Sequence, residues 1–204
     1  MTPRGQKLNE RMRAEATAKI TRAALEVFAE YGYYGAKMGQ IMRISGLSKG
    51  LVYHYFPSKE KVFFHLVQTA LEISQNIWRE ALDPPGSAWE KIERLSERLA
   101  CEAFTEEASL YNIIMMQAMI QGKGIPGMMA FIFQHTAYYQ ELPRLIAEAQ
   151  ESGEAAPGDP ELLASTYLAL FLGFTFTLAD NKEMRKKISP EIFLKVLRNT
   201  AAAE

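Results

Sequence analysis

The chain of 204 residues contains one cysteine, Cys101. An intrachain disulfide is therefore excluded, and a reducing compartment is expected. The neighbours Ala100 and Ala103 suit Cys101 as a small buried apolar residue. No stretch sustains the period-two alternation of a half-buried strand; the apolar residues recur at three and four, which points to an all-α fold. No apolar run follows the first basic residues, so no secretory leader is visible and a cytoplasmic protein is expected. The three histidines are His54, His65 and His135, preceded three residues earlier by Leu51, Val62 and Ile132. The Glu-x-x-His pairs of a carboxylate-bridged metal bundle are thus missing. So are a glycine-rich phosphate loop and a nucleophile elbow. A helical-bundle enzyme becomes a remote reading, with no metal, cofactor or catalytic residue expected. The longest uncharged run, Leu162–Ala179, has 18 residues and only reaches the lower length of a spanning helix. Ser165, Thr166, Tyr167, Thr175 and Thr177 dilute it, and a helix apolar around most of its circumference also suits a subunit interface backed by a core. No membrane partner is expected. Internal repeats are absent, and Ala201–Ala203 are expected to fray.

Hydrophobic residues make up 48% of the chain, enough for a substantial core. The net charge of −1 conceals an asymmetry. Residues 1–61 hold 11 Lys/Arg against 5 Asp/Glu, a net of +6, and residues 62–204 hold 12 against 19, a net of −7. A basic first part is a hint of nucleic-acid binding.

About nine helices are expected. The first covers roughly 10–31, with Ile20, Ala24, Val27, Phe28 and Tyr31 on one face and Gly32 as its end. Two short helices follow, then a long one from Lys59 to Ala81 capped by Ser58. Helices near 87–104 and 106–121 precede a long helix over 128–152, kinked at Pro143. Asp159-Pro160 starts the uncharged helix, and Ser189-Pro190 starts the last, with Ile192, Phe193, Val196 and Leu197 in its stripe.

Residues 37–61, KMGQIMRISGLSKGLVYHYFPSKEK, carry the most information. Met38, Ile41 and Met42 give a first short helix one apolar stripe. Gly46 can take the left-handed conformation that reverses the chain. Ser48 stands as an N-cap, and Val52, Tyr55 and Phe56 form the next inward face. Lys49, Gly50, Leu51, Tyr53 and His54 are left pointing outward. A cation, a bare backbone patch, a phenol and an imidazole on a short helix suit a DNA major groove; the alternative is an ordinary helical hairpin with a solvated face.

The runs AALEVFAEYGYYGAKM and ISGLSKGLVYHYFPSKEKVF closely resemble the DNA-binding domain of the TetR family, the tetracycline-repressor-like bacterial transcription regulators. The resemblance covers about the first third of the chain. It implies a three-helix helix-turn-helix domain over 1–61 and a helical ligand-sensing and dimerisation domain over 62–204. Ser48, Lys49, Gly50, Leu51, Tyr53 and His54 would face the major groove, and Lys59 would contact a phosphate. Where family members often carry Thr or Ser, this chain has Ala36 and Lys37; Lys37 would replace the missing hydroxyl contact by charge. Met42 occupies a site usually held by alanine, and Leu51 one where a polar residue often touches DNA.

The resemblance also implies a homodimer through the last two helices and a ligand held between the others. Tyr167, Leu170, Phe171 and Phe174 fall at i, i+3, i+4 and i+7, a stripe that with Phe193 and Leu197 suits either a four-helix dimer seam or an internal core. Phe104, Tyr111, Met115, Met119, Phe131, His135 and Tyr138 are candidates for a pocket around a small, largely apolar effector, or else plain core. Gln117 is a further polar candidate. The expected function is a repressor that binds an inverted-repeat operator and is released by that ligand. A DNA-binding protein of the same fold controlled by a protein partner, or by none, is the alternative; activation instead of repression is also open.

Overall fold

The computed structural model describes residues 3–102, 104–178 and 181–199, with side chains from residue 10 onward. Ala103, Ala179 and Ala201–Ala203, on which three of the expectations fall, lie outside these. Among the described residues there are eleven α-helices and no β-strand: α1 (Pro3–Gly35), α2 (Met38–Ser45), α3 (Lys49–Tyr55), α4 (Lys59–Leu82), α5 (Ala88–Glu102), α6 (Glu106–Gln121), α7 (Met128–His135), α8 (Glu141–Glu151), α9 (Pro160–Thr177), α10 (Lys182–Arg185) and α11 (Pro190–Leu194). The count exceeds nine for two reasons. α10 was not expected, and the helix over 128–152 is broken at Thr136 into α7, a 3-10 segment Ala137–Gln140 and α8. Pro143 causes no kink, because it sits in the first turn of α8, where an N–H has no helical partner to lose.

The chain forms two compact units, Met1–Ala70 with Ile113–Met129, and Leu71–Asn112 with Ala130–Glu204. The first unit thus runs past residue 61 into α4 and takes in the later part of α6. In that unit α1 buries Ile20, Ala24, Val27 and Phe28, as its periodicity predicts, together with Ile41, Val52, Phe63 and Leu66. Tyr31 is exposed. It belongs to the last turn before Gly32, whose φ of 67° and ψ of 174° break the helical ladder, and Tyr33 takes the inner place. The Tyr33 ring lies 5.0 Å from that of Phe63 and 6.4 Å from that of Phe28. α6 secures this broken end: Gln117 Nε2 donates to the Phe28 carbonyl at 2.8 Å, and Gln121 Oε1 accepts from the Tyr33 N–H at 3.2 Å. Gln117 is thus a structural residue of the first unit.

In the second unit α5, α8, α9 and α11 pack around Trp78, Ile92, Leu95, Ile146, Tyr167 and Phe193. α11 stops at Leu194, short of Val196 and Leu197 in its expected stripe, and the chain then pairs with the loop after α8. The Ala156 N–H donates to the Leu197 carbonyl at 2.7 Å and the Asn199 N–H to the Glu154 carbonyl at 3.0 Å. Among the described residues no helix is long and apolar enough to cross a membrane, α9 included. Cys101 is exposed instead of buried: it occupies the last turn of α5, beside an open cleft.

Candidate nucleic-acid interface

α2 begins at an extended Lys37 (φ −126°, ψ 140°), whose N–H donates to Gln40 Oε1 at 2.8 Å. Gln40 thus satisfies the Lys37 N–H, one half of a capping box; the other half, which a hydroxyl at position 37 would supply, is missing because an ammonium cannot accept. α2 ends on Gly46 in the left-handed region (φ 69°, ψ 13°), with its N–H donating to the Met42 carbonyl at 3.1 Å. That geometry turns the chain sharply with no Cβ penalty. Ser48 is extended and its Oγ accepts from the Leu51 N–H at 3.4 Å, which starts α3. Val52 is fully buried and Phe56 nearly so, and these two anchor α3 to the unit's core. Met42 is half-buried.

The remaining side chains of α3 follow from that anchoring. Ser48, Lys49, Gly50, Leu51, Tyr53 and His54 are all exposed, as is Lys37 at the head of α2. The segment therefore presents two ammonium groups, a phenol, an imidazole, an apolar side chain and a glycine on one surface. A Cβ built on Gly50 meets nothing within 4 Å. Glycine near the start of a helix costs about 0.8–1 kcal/mol relative to alanine, and no internal contact requires it here.

Lys59, the expected phosphate contact, has partners within the chain. Its ammonium donates to the carbonyls of Tyr33 at 2.7 Å, Ala36 at 3.1 Å and Tyr34 at 3.4 Å, and lies 4.7 Å from the centre of the Tyr33 ring. These carbonyls stand where α1 ends and leaves them without helical partners. These bonds tie the start of α4 to the end of α1. Sequence reasoning missed this because the partners lie 23–26 residues away.

Residues 20–66 match the family of bacterial regulatory proteins named tetR. The transcriptional regulator RutR of Escherichia coli is 30% identical over 160 residues, which span 76% of this chain and 72% of RutR. The chain belongs to the TetR family. QacR of Staphylococcus aureus is 30% identical over 122 residues, 60% of this chain and 55% of QacR. The fold agrees with the structure of the ketosteroid transcriptional regulator KstR2 of Mycobacterium tuberculosis, with a TM-score of 0.77 at 17% identity, covering 90% of this chain and 95% of that one. The protein is accordingly a helix-turn-helix transcriptional regulator, and α2 and α3 are the helix-turn-helix of this TetR-family member.

Tyr167, Phe193 and Leu197 are wholly buried within one chain, and Tyr167 OH lies 2.9 Å from Ser96 Oγ in the core. Leu170, Phe171 and Phe174 are half-buried against the same core. α9 is apolar on both sides, so its period could not say which side turns inward; the outward one carries Leu162, Ala169 and Leu172 with Ser165, Thr166 and Gly173.

The candidate ligand residues are also dispersed. Tyr138 lines a groove of about 420 Å³ in the second unit, with Trp78, Leu82 and Leu145 as apolar wall and Gln75, Arg79, Asp83, Lys91 and Glu141 as polar rim. Its hydroxyl donates to Ser74 Oγ at 2.9 Å, and burial above all pushes its pKa up, so the phenol stays a donor. Phe104 lines a second cleft of about 330 Å³ with Cys101, Lys182 and Arg185. Tyr111 is buried, while Phe131 and His135 line neither of these two. His135 Nδ1 donates to the Phe131 carbonyl at 2.8 Å. Met115 and Met119 belong to the first unit, where Met119 is exposed. Among the described residues no three His, Cys, Asp or Glu side chains come together as a metal site.

Proposed function

We propose that this TetR-family regulator is a cytoplasmic homodimeric repressor that binds an inverted-repeat operator through α3 and is released by a small effector. Two-fold protein symmetry asks for two-fold operator symmetry, with recognition helices one DNA turn apart, about 34–36 Å. The outward side of α9 is the dimer surface of this reading: Leu162 and Leu172 are 67% and 49% exposed in the single chain, on a helix with no charge after Glu161. The 420 Å³ groove supports an amphipathic effector more than a purely apolar one, since Trp78, Leu82 and Leu145 are rimmed by charged and amide side chains. Release by a hundredfold needs about 2.7 kcal/mol of differential effector affinity between the free and DNA-bound states.

The observation that carries the DNA reading is Gly50, a glycine in the exposed first turn of α3 with open space around it. Its role is close approach of backbone to a base edge or thymine methyl. Gly50→Ala tests it in two measurements on one protein. The variant gains about 0.8–1 kcal/mol of stability in denaturant unfolding, and its operator affinity falls. Full retention of operator affinity would contradict the assignment of α3. Selection of bound sequences from a random duplex pool should return a palindrome, and a consensus lacking two-fold symmetry would overturn the operator prediction.

A further inference from the structure

We propose that the N-terminal part of α1, residues 3–19, is a second DNA-contacting element that binds phosphates flanking the operator without reading sequence. The inference rests on the DNA-binding reading above. The family match begins at residue 20, yet α1 begins at Pro3, so these residues add a helical arm to the shared domain. At 1.5 Å per residue the arm is about 25 Å long.

Among the residues whose side chains are described, its contact with the core begins only at Ala16, which is buried. Residues 10–15 are all exposed, so this part of the helix packs on no core through any face. A helix without a buried stripe needs an external partner or many side-chain pairs to persist. Among the described residues Arg11 meets Glu15 at 2.9 Å, with both side chains well exposed, and Arg13 makes no ion pair.

Charge names the partner. Residues 3–19 contain Arg4, Lys7, Arg11, Arg13 and Lys19 against Glu10 and Glu15, five to two, a net of +3. That is half of the +6 carried by residues 1–61. DNA presents one negative charge per 1.7 Å of axis, a density this length of cationic helix can follow over several base pairs.

Position agrees with charge. Phe56, which closes α3, meets His65 with ring centroids 5.2 Å apart and the planes tilted by 42°, and His65 Nε2 lies 3.1 Å from Thr21 Oγ1. The arm thus leaves the domain at the turn of α1 that is tied, through His65, to the C-terminal end of α3. Tyr53 and His54 are exposed at that same end.

The test compares the full chain with a full-length variant carrying Arg4→Gln, Lys7→Gln, Arg11→Gln and Arg13→Gln, on a duplex bearing the selected operator between 50 and 200 mM salt. Each lost phosphate contact lowers the slope of log affinity against log salt by about 0.9. Loss of two contacts per subunit lowers it by about 3.6, with at least about a tenfold drop in affinity at 0.1 M salt. The operator consensus and the melting temperature stay as they were. A second variant, Arg11→Gln with Arg13→Gln, changes exposed positions only and should show part of the same slope change. Wild-type slope and affinity in both variants would overturn the arm while leaving α3 as the DNA contact. Failure of the unmodified protein to bind any duplex would overturn the DNA reading, and the arm with it. An altered consensus would show that the arm reads bases, contrary to the proposal.

Discussion

Replacing Lys59 by methionine separates its two possible jobs, because methionine keeps the aliphatic stem and removes only the ammonium. Two of its hydrogen bonds are short, 2.7 and 3.1 Å, and the third, at 3.4 Å, is weak. A hydrogen bond to a charged group contributes about 1.5–3 kcal/mol, and an ammonium over an aromatic face adds about 0.5–1 kcal/mol. The end of α1 is partly exposed, so water recovers some of the carbonyls, and the net loss should be about 2–3 kcal/mol. For a chain of this size that lowers the melting temperature by about 4–12 °C. Because the ammonium is turned inward, the salt dependence of operator binding should hardly move, and affinity below the melting range should fall only as far as the end of α1 is displaced. The assay is a thermal melt paired with a salt titration of operator binding. An unchanged melting temperature with a slope reduced by about 1.8, one phosphate contact from each of two subunits, would refute the reasoning and return Lys59 to the DNA.

Gly32→Ala should destabilise the protein by about 1–3 kcal/mol through backbone strain alone, since φ 67° with ψ 174° is a region essentially reserved for glycine and the new Cβ would meet only the Gln121 amide, Nε2 at 3.5 Å and Oε1 at 3.9 Å; equal or greater stability in urea would contradict the geometry at the break in α1. Tyr167→Phe should cost about 0.5–1.5 kcal/mol and leave the dimer intact, because Ser96 Oγ keeps its hydrogen bond to the Ile92 carbonyl at 2.8 Å. Leu172→Glu should instead yield monomers in sedimentation, and the opposite pair of outcomes would put Tyr167 back in the seam. Burial, first of all, raises the pKa of both Tyr138 and Tyr167 above the ordinary 10.0. Below pH 10 folded and unfolded chains hold these protons alike; above it only the unfolded chain releases them, so stability should fall as pH rises past 10. Urea unfolding at pH 9 and pH 11 checks the sign, and equal stabilities at the two would contradict it.

The helix-turn-helix was legible because every part of it is local. The Gly46 turn, the Ser48 cap and the anchors Val52 and Phe56 lie within eleven residues; the turn and the cap act on neighbours no more than four positions away, and the anchors, though they pack on distant residues, are marked by their own spacing of four. Lys59 was read for its charge and not for its partners, because the carbonyls it meets exist as unpaired groups only once Gly32 has broken α1. The same holds for Gln117 and Gln121, whose bonds reach back 88–89 residues to that break. From the sequence, Gln117 was as good a ligand contact as any polar residue amid methionines.

α9 poses the harder question of which side of a helix apolar all round faces its own chain. Hydrophobic period cannot answer it, since Tyr167 and Phe174 on one side and Leu162 and Leu172 on the other fit a period of 3.6 equally well. Polar atoms decide it. Tyr167 can be wholly buried because α5 supplies Ser96 Oγ at 2.9 Å, and Thr175 because its hydroxyl donates to the Leu172 carbonyl at 2.8 Å. A buried hydroxyl without such a partner would cost about 1–3 kcal/mol. Leucine has no such requirement: it tolerates any dry neighbour, including a second copy of the same helix. The partnered tyrosine therefore marks the inner side of α9, and the exposed leucines mark the side that the proposed dimer would cover.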